Sequence, residues 1–275
     1  MENTTKVSEN GVEKATYEYD ELNQLVRENN KYLNKSITYE YDLGGNLTSK
    51  KEYAYTTGTL GEMQAEDAFG YDGGAWKDRL VVFNDSMMTY DAIGNPLHYY
   101  DGREFTWEQG RRLASIKEEN DTITYKYDSE GLRTEKTVDG DTTKYYYNDN
   151  QLLGEERDGE KLYYYYDDGD QFIGLNYNGV NYYALRNLQG DVVALTDKNG
   201  TKVVNYVYDS WGQVISVTGS LKDTLGKDNP FRYRGYYYDG ETGFYYIQSR
   251  YYDPVTCRFL NADAVTGVVG DTRYC

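Results

Sequence analysis

A short repeat constrains this chain more than any other feature. The pair Tyr-Asp recurs at 19–20, 41–42, 71–72, 90–91, 127–128, 166–167, 208–209, 238–239 and 252–253, with Trp107-Glu108 and Tyr147-Asn148 as near-copies. The residues after the pair are also regular: "YDELNQLVREN", "YDLGGNLTSKK", "YDAIGNPLHYY", "WEQGRRLASIK", "YDSEGLRTEKT" and "YDSWGQVISVT" follow, with small departures in the fourth and fifth, the order aromatic, acid, two residues, Gly or Asn, polar, apolar. A degenerate unit of about twenty residues in series predicts a repeat architecture.

The stretch "TITYKYDSEGLRTEK" shows what one unit folds into. Ile123, Tyr125 and Tyr127 fall on one face of a strand and Thr122, Thr124 and Lys126 on the other. Asp128 ends the strand, because its carboxylate can accept nearby backbone amides and start a turn. Gly131 supplies the positive φ of a tight reversal. "LRTEKTV" then starts the return strand, with Leu132 as anchor. Each unit is a β-hairpin, and the set Tyr19, Asp20, Tyr41, Asp42, Tyr90, Asp91, Tyr127, Asp128, Gly131, Tyr208 and Asp209 marks its recurrence. Stretches such as "TTKYYYND" and "KLYYYYDD" favour strands over helices, and no long window keeps a helical apolar stripe. Residues 53–68 and 217–230 break the rhythm and read as loops or short helices inserted between units.

Composition narrows the function. The 34 tyrosines, against 7 Phe and 3 Trp, suit a sheet that is dry on only part of its surface. A net charge of -17 repels phosphate backbones and anionic lipid, so neither nucleic acid nor a membrane surface is an expected partner. No run reaches the ~18 apolar residues of a membrane helix, and "MENTTKVSENGVEK" has no signal-peptide core. Cys257 and Cys275 are the two cysteines; a disulfide between them and two free thiols are both open readings, and no zinc spacing exists. His98 is the single histidine and reads as a surface side chain, without the Ser or Cys partner that nucleophilic catalysis needs. The acid pairs at 118–119, 155–156 and 167–168, and the "DDGD" of 167–170, read as solvated turns rather than a glycosidase pair or a calcium loop. No cofactor or metal is expected.

From residue 229 the sequence changes to "NPFRYRGYYYDGETGFYYIQSRYYDPVTCRFLNADAVTG". Pro230, Gly235, Asp239, Glu241, Thr242, Gly243, Tyr245, Tyr246, Arg250, Tyr251, Tyr252, Asp253, Pro254, Arg258 and Phe259 occur in the order of the Rhs core signature, and Asp263 corresponds to its next aspartate. This segment resembles the core of Rhs/YD-repeat proteins, a group that includes polymorphic toxins, toxin-complex C subunits and teneurins. Two positions depart from the pattern: Cys257 stands where Gly is expected, and Ala264 where Pro is expected. The segment with the family's self-cleaving aspartate is absent, so no catalytic residue is carried over and the chain is expected not to be an enzyme.

The resemblance implies an all-β fold of serial antiparallel hairpins forming a curved or spiralling single-layer sheet, a partial shell or barrel. It implies residues 1–228 as the YD-repeat sheet and 229–275 as the core segment. Its implied function is a structural shell that encapsulates and delivers a C-terminal toxin polypeptide, secreted or at the cell surface as part of a larger bacterial protein. The rival reading is a surface-exposed module in which a tyrosine-rich sheet binds carbohydrate or a cell-surface protein. A third reading gives the tyrosines no ligand at all: cross-strand pairs simply hold a thin sheet together.

Overall fold

The computed structural model describes residues 3–262 apart from 75 and 120. They form two compact units, residues 3–89 with 99–101 and residues 90–98 with 102–262. The first unit holds an eight-stranded sheet running from Lys6–Glu9 to Ser86–Met87, in which every strand pairs with its neighbour in sequence. The second holds a fourteen-stranded sheet that ends at Val214–Thr218, ordered the same way. It also holds a four-stranded sheet of Tyr237–Asp239, Phe244–Ile247, Arg250–Asp253 and Arg258–Phe259. The described pairings are antiparallel, and none of these sheets closes into a barrel. The fold is all-β and built from hairpins in series.

The Tyr-Asp pair works as its chemistry predicts. Asp20 Oδ1 accepts the amides of Leu22 and Gln24, Asp42 those of Gly44 and Asn46, Asp91 those of Ile93 and Asn95, and Asp209 those of Trp211 and Gln213. Asp128 accepts from Glu130, Gly131 and Leu132, and Gly131 has φ +94°. Two further turns use the same device without a tyrosine: Asn187 accepts from Gln189 and Asp191, and Asp197 from Asn199 and Thr201. Most of the intervening turns differ. They are two-residue reversals with positive φ at both positions, as at Asp139-Gly140 and Asn178-Gly179, whose twist matches that of the strands they join.

A bulge just before the tyrosine opens the ladder at Glu18/Tyr19, Glu40/Tyr41, Lys126/Tyr127, Tyr146/Tyr147, Tyr165/Tyr166 and Val207/Tyr208. The phenol bonds on the other side, to the preceding strand just past the end of their shared ladder. It donates to the carbonyl that begins the preceding repeat's return strand: Tyr41 to Leu25 at 2.9 Å, Tyr127 to Leu113 at 2.9 Å, Tyr147 to Arg133 at 3.0 Å, Tyr166 to Leu152 at 2.6 Å and Tyr208 to Val192 at 2.7 Å. Trp107 does the same with its indole N–H, to Pro96. The bulge also leaves Tyr127 half-buried at the strand end, while Ile123 and Tyr125 are buried as their parity predicts.

The interrupted regions are shorter than the sequence implies. Met63–Tyr71 is a strand, so the first loop shrinks to 55–62. In the second, Val214–Thr218 is a strand and Leu225–Asp228 a single helical turn, whose Gly226 carbonyl accepts the Tyr206 hydroxyl. In the second unit the core is not one layer throughout. One face of the large sheet buries Leu113, Ile116, Ile123, Leu175, Leu195 and Val204, and the segment after residue 229 packs on it. Phe231 stacks on Phe172 with ring centroids 4.5 Å apart and meets Tyr164 edge-on at 4.9 Å; Tyr251 meets Tyr125 at 5.6 Å.

Candidate functional site

The seat of the C-terminal segment is the most constrained place in the second unit. Return strands place a residue at or next to their start, and the third one after it, towards the core: Leu113 and Ile116, Phe172 and Leu175, Val192 and Leu195. In the strand Arg133–Val138 the same two places hold Arg133 and Lys136. Both are buried, and both point at Asp239. The Arg133 guanidinium grips the Asp239 carboxylate with two bonds, 2.6 and 3.0 Å, and the Lys136 ammonium adds a third at 2.7 Å. Lys136 also pairs with Glu241 at 2.5 Å. Arg133 lies over the rings of Tyr246, Tyr145 and Tyr237 at 4.3, 4.7 and 5.0 Å, close enough for cation–π attraction.

Burial alone pushes the Asp239 carboxyl upward, but Arg133 and Lys136 outweigh it and hold it below the usual carboxylate range. Burial likewise works against the Lys136 ammonium, and Asp239, Tyr145 and Glu241 reverse the effect and raise it. Glu155, at the corresponding place of the next return strand, is pushed up by burial against the hydrogen bond from the Tyr237 hydroxyl at 2.7 Å. A charge pair in such a place contributes little net stability over an apolar replacement, yet breaking it is costly. Its effect is to fix where the segment docks.

The core-signature residues divide into those that grip the sheet and those that shape the segment. Tyr246 accepts the Arg133 amide, Tyr245 donates to Gly212 O, Tyr252 to Trp211 O, and Tyr251 shares a hydrogen bond with Tyr127. Thr242 offers its carbonyl to the buried Arg103. Within the segment, Pro230 O accepts the Tyr238 amide, and the Gly243 amide donates to Asp239 O. Gly235 (φ +70°) and Gly243 (φ +78°) turn the chain. Asp253 caps the turn through Val255 and Thr256, Arg250 lies 3.7 Å over Phe259, and Arg258 pairs in register with Asp253. Cys257 adopts φ +59° where the signature has glycine. Asp263, Ala264 and Cys275, and with them the disulfide question, lie outside the described residues.

Leu132, the expected anchor of its strand, is buried, and its neighbour Arg133 is buried more completely still. The signal for this was available in the sequence: five residues after the acid of the Tyr-Asp pair or its near-copy, Asp128 leads to Arg133, whereas Glu108 leads to Leu113 and Asp167 to Phe172, and Lys136 stands where those units have Ile116 and Leu175. On the opposite face of the sheet, Tyr146 and Tyr163 flank Gly154, and Tyr165 and Tyr183 flank Gly174. These four rings are 36–50% exposed. Among the described residues no cluster of His, Cys, Asp or Glu is placed to hold a metal ion, and no helix is long and apolar enough to cross a membrane.

The family model described as Teneurin YD-shell matches residues 1–274. This chain belongs to the teneurin YD-shell family. Among its relatives, the tRNA3(Ser)-specific nuclease WapA of Bacillus spizizenii is 36% identical over 263 residues, covering 92% of this chain and 11% of that protein. The double-stranded DNA deaminase toxin A of Burkholderia cenocepacia is 25% identical over 295 residues, covering 90% of this chain and 20% of that protein. This YD-shell chain thus spans between a tenth and a fifth of the length of these two relatives. A solved structure of TcdB2-TccC3 without its hypervariable C-terminal region superposes with a TM-score of 0.75 at 20% identity, over 94% of this chain and 14% of that one. The TcdB2-TccC3-Cdc42 structure gives 0.74 at 21% identity, over 91% and 14%. Both share the fold of this chain.

Proposed function

We propose that this chain is a non-enzymatic wall segment of a YD shell, with residues 1–228 as wall and 229–275 as the segment that closes it over a polypeptide cargo. The observation that carries this reading is the buried Arg133–Asp239 pair. It fixes the C-terminal segment on one face of the hairpin sheet while the other face stays open to water. Within each large sheet every strand pairs with the next in sequence, a continuous surface that suits exclusion rather than chemistry. The relatives named as a nuclease and a deaminase toxin, and the TccC3 structure described by its hypervariable C-terminal region, support a toxin as the cargo. By the same likeness the chain acts outside the producing cell, as part of a longer bacterial protein.

The test is a chimera in which this chain replaces the matching segment of the Bacillus subtilis tRNA nuclease WapA, 35% identical over 92% of this chain. The polypeptide that comes after the segment is expected to resist protease in the chimera, and to lose that resistance with Arg133→Ala. Equal digestion of chimera and Arg133→Ala variant would contradict the shell reading. A second reading rests on the exposed row Tyr146, Tyr163, Tyr165 and Tyr183, which makes the opposite face an accessible contact surface for carbohydrate or a cell-surface protein. Loss of surface binding on replacing Tyr163 and Tyr165 by Ala, with protease resistance intact, is what this reading expects.

A further inference from the structure

Between the turn at 148–151 and the C-terminal segment, the second unit has an open cavity of about 550 Å³, within the range of about 300–1,000 Å³ usual for small-ligand sites. Its walls are aromatic: Tyr147 and Tyr166 come from the sheet, Tyr236 and Tyr246 from the segment. The phenols of Tyr147 and Tyr166 are tied to Arg133 O and Leu152 O, and Tyr246 accepts from the Arg133 amide, so these three rings are held in place before any ligand arrives. Such preorganisation removes much of the ordering cost of binding.

The rim decides the ligand class. It carries four amides, Asn148, Asn150, Gln151 and Gln248, and two carboxylates, Asp149 and Asp170. Gln248 Nε2 donates to Asn150 O at 2.6 Å and Gln151 Nε2 to Asp170 Oδ1 at 2.9 Å. These bonds fix the side chains, and each amide keeps a second N–H and a carbonyl oxygen for other partners. No lysine or arginine lines the cavity among the described residues, which disfavours phosphates, uronates and other anions. A bare cation would use the oxygens and leave the amide N–H groups idle. A ring of hydroxyls uses both, since each hydroxyl donates and accepts, and its C–H face stacks on tyrosine. We propose that this cavity binds a neutral saccharide, at a site separate from the exposed tyrosine row on the other face.

The experiment titrates the purified chain with maltotriose, cellotriose and N,N′,N″-triacetylchitotriose, and with trigalacturonate and the tripeptide Lys-Arg-Lys as charged controls. Calorimetry and saturation-transfer NMR are the readouts. Three variants are compared: Tyr236→Ala, which removes one wall; Asp149→Asn, which keeps a residue tolerant of φ +49°; and Tyr163→Ala on the opposite face. Saturable binding of a neutral trisaccharide, weakened at least tenfold by Tyr236→Ala and by Asp149→Asn but unchanged in Tyr163→Ala, is expected. Circular dichroism of each variant should match the wild type. The proposal is overturned by no saccharide binding at millimolar concentration, by tighter binding of either charged control, or by sensitivity to Tyr163→Ala with none to Tyr236→Ala and Asp149→Asn.

Discussion

Arg133 has no exposed surface, and its strand gives it no reason to be charged except the carboxylate it meets from another sheet. Removing one member leaves the others imperfectly compensated in a dry site, so Arg133→Ala or Asp239→Asn should each cost about 3–5 kcal/mol, whereas replacing the whole cluster by Arg133→Met, Lys136→Met and Asp239→Leu together should cost far less than either single change. Denaturant unfolding of the three variants checks this. The titrating neighbours set an opposed pH response. Asp239 is held below its unfolded value, so its contribution is present above the ordinary carboxylate range of about 4 and is lost as pH falls through the folded value. Glu155 is raised, so the folded state keeps a proton the unfolded chain gives up, and stability declines as pH rises from about 4.3 through the folded value. In Glu155→Gln the decline on that side should flatten, read as the unfolding midpoint against pH. Cys257 is the other informative residue. A side chain at φ +59° is strained by about 1–2 kcal/mol, so Cys257→Gly should raise stability by about 1 kcal/mol.

At the scale of the element, the tyrosine of each pair belongs to the wall as much as to its own strand. Its hydroxyl satisfies a carbonyl on the preceding strand just past the end of their shared ladder. Tyr166→Phe, which leaves Leu152 O without that donor, should cost about 1 kcal/mol, and Tyr165→Phe on the exposed face should stay within about 0.5 kcal/mol. Thermal unfolding of the pair tests the assignment. The hairpin was legible because Asp128 and Gly131 are read from local chemistry alone: an acceptor for the next amides, then a backbone free to take positive φ. The bulges were not legible, since a one-residue slip at Lys126/Tyr127 leaves the alternating pattern of "TITYKYD" unchanged. The turns at Asn187 and Asp197 escaped for another reason. They keep the acceptor and drop the aromatic residue by which the repeat was recognised.

At the scale of the whole chain, strand identity and the order within each sheet came from the repeat, because each strand there pairs with the next in sequence and leaves no topology to choose. The seat of the C-terminal segment was not legible in the same way. Arg133 and Asp239 are 106 residues apart, and nothing local in "GLRTEK" or "YYYDGE" names the partner. The division between residues 89 and 90 falls inside a Tyr-Asp repeat and has no compositional mark. The C-terminal segment is an integral, locked layer of the second unit. Hydrogen exchange of the amides in Tyr237–Asp239, Phe244–Ile247 and Arg250–Asp253 tests it most directly, compared with those of Asp121–Tyr127 and Glu160–Tyr166 in the large sheet. Equal protection in the wild type, with selective loss in the segment of Asp239→Asn, is the predicted result. Fast exchange of the segment in the wild type, with the large sheet still protected, would contradict the account.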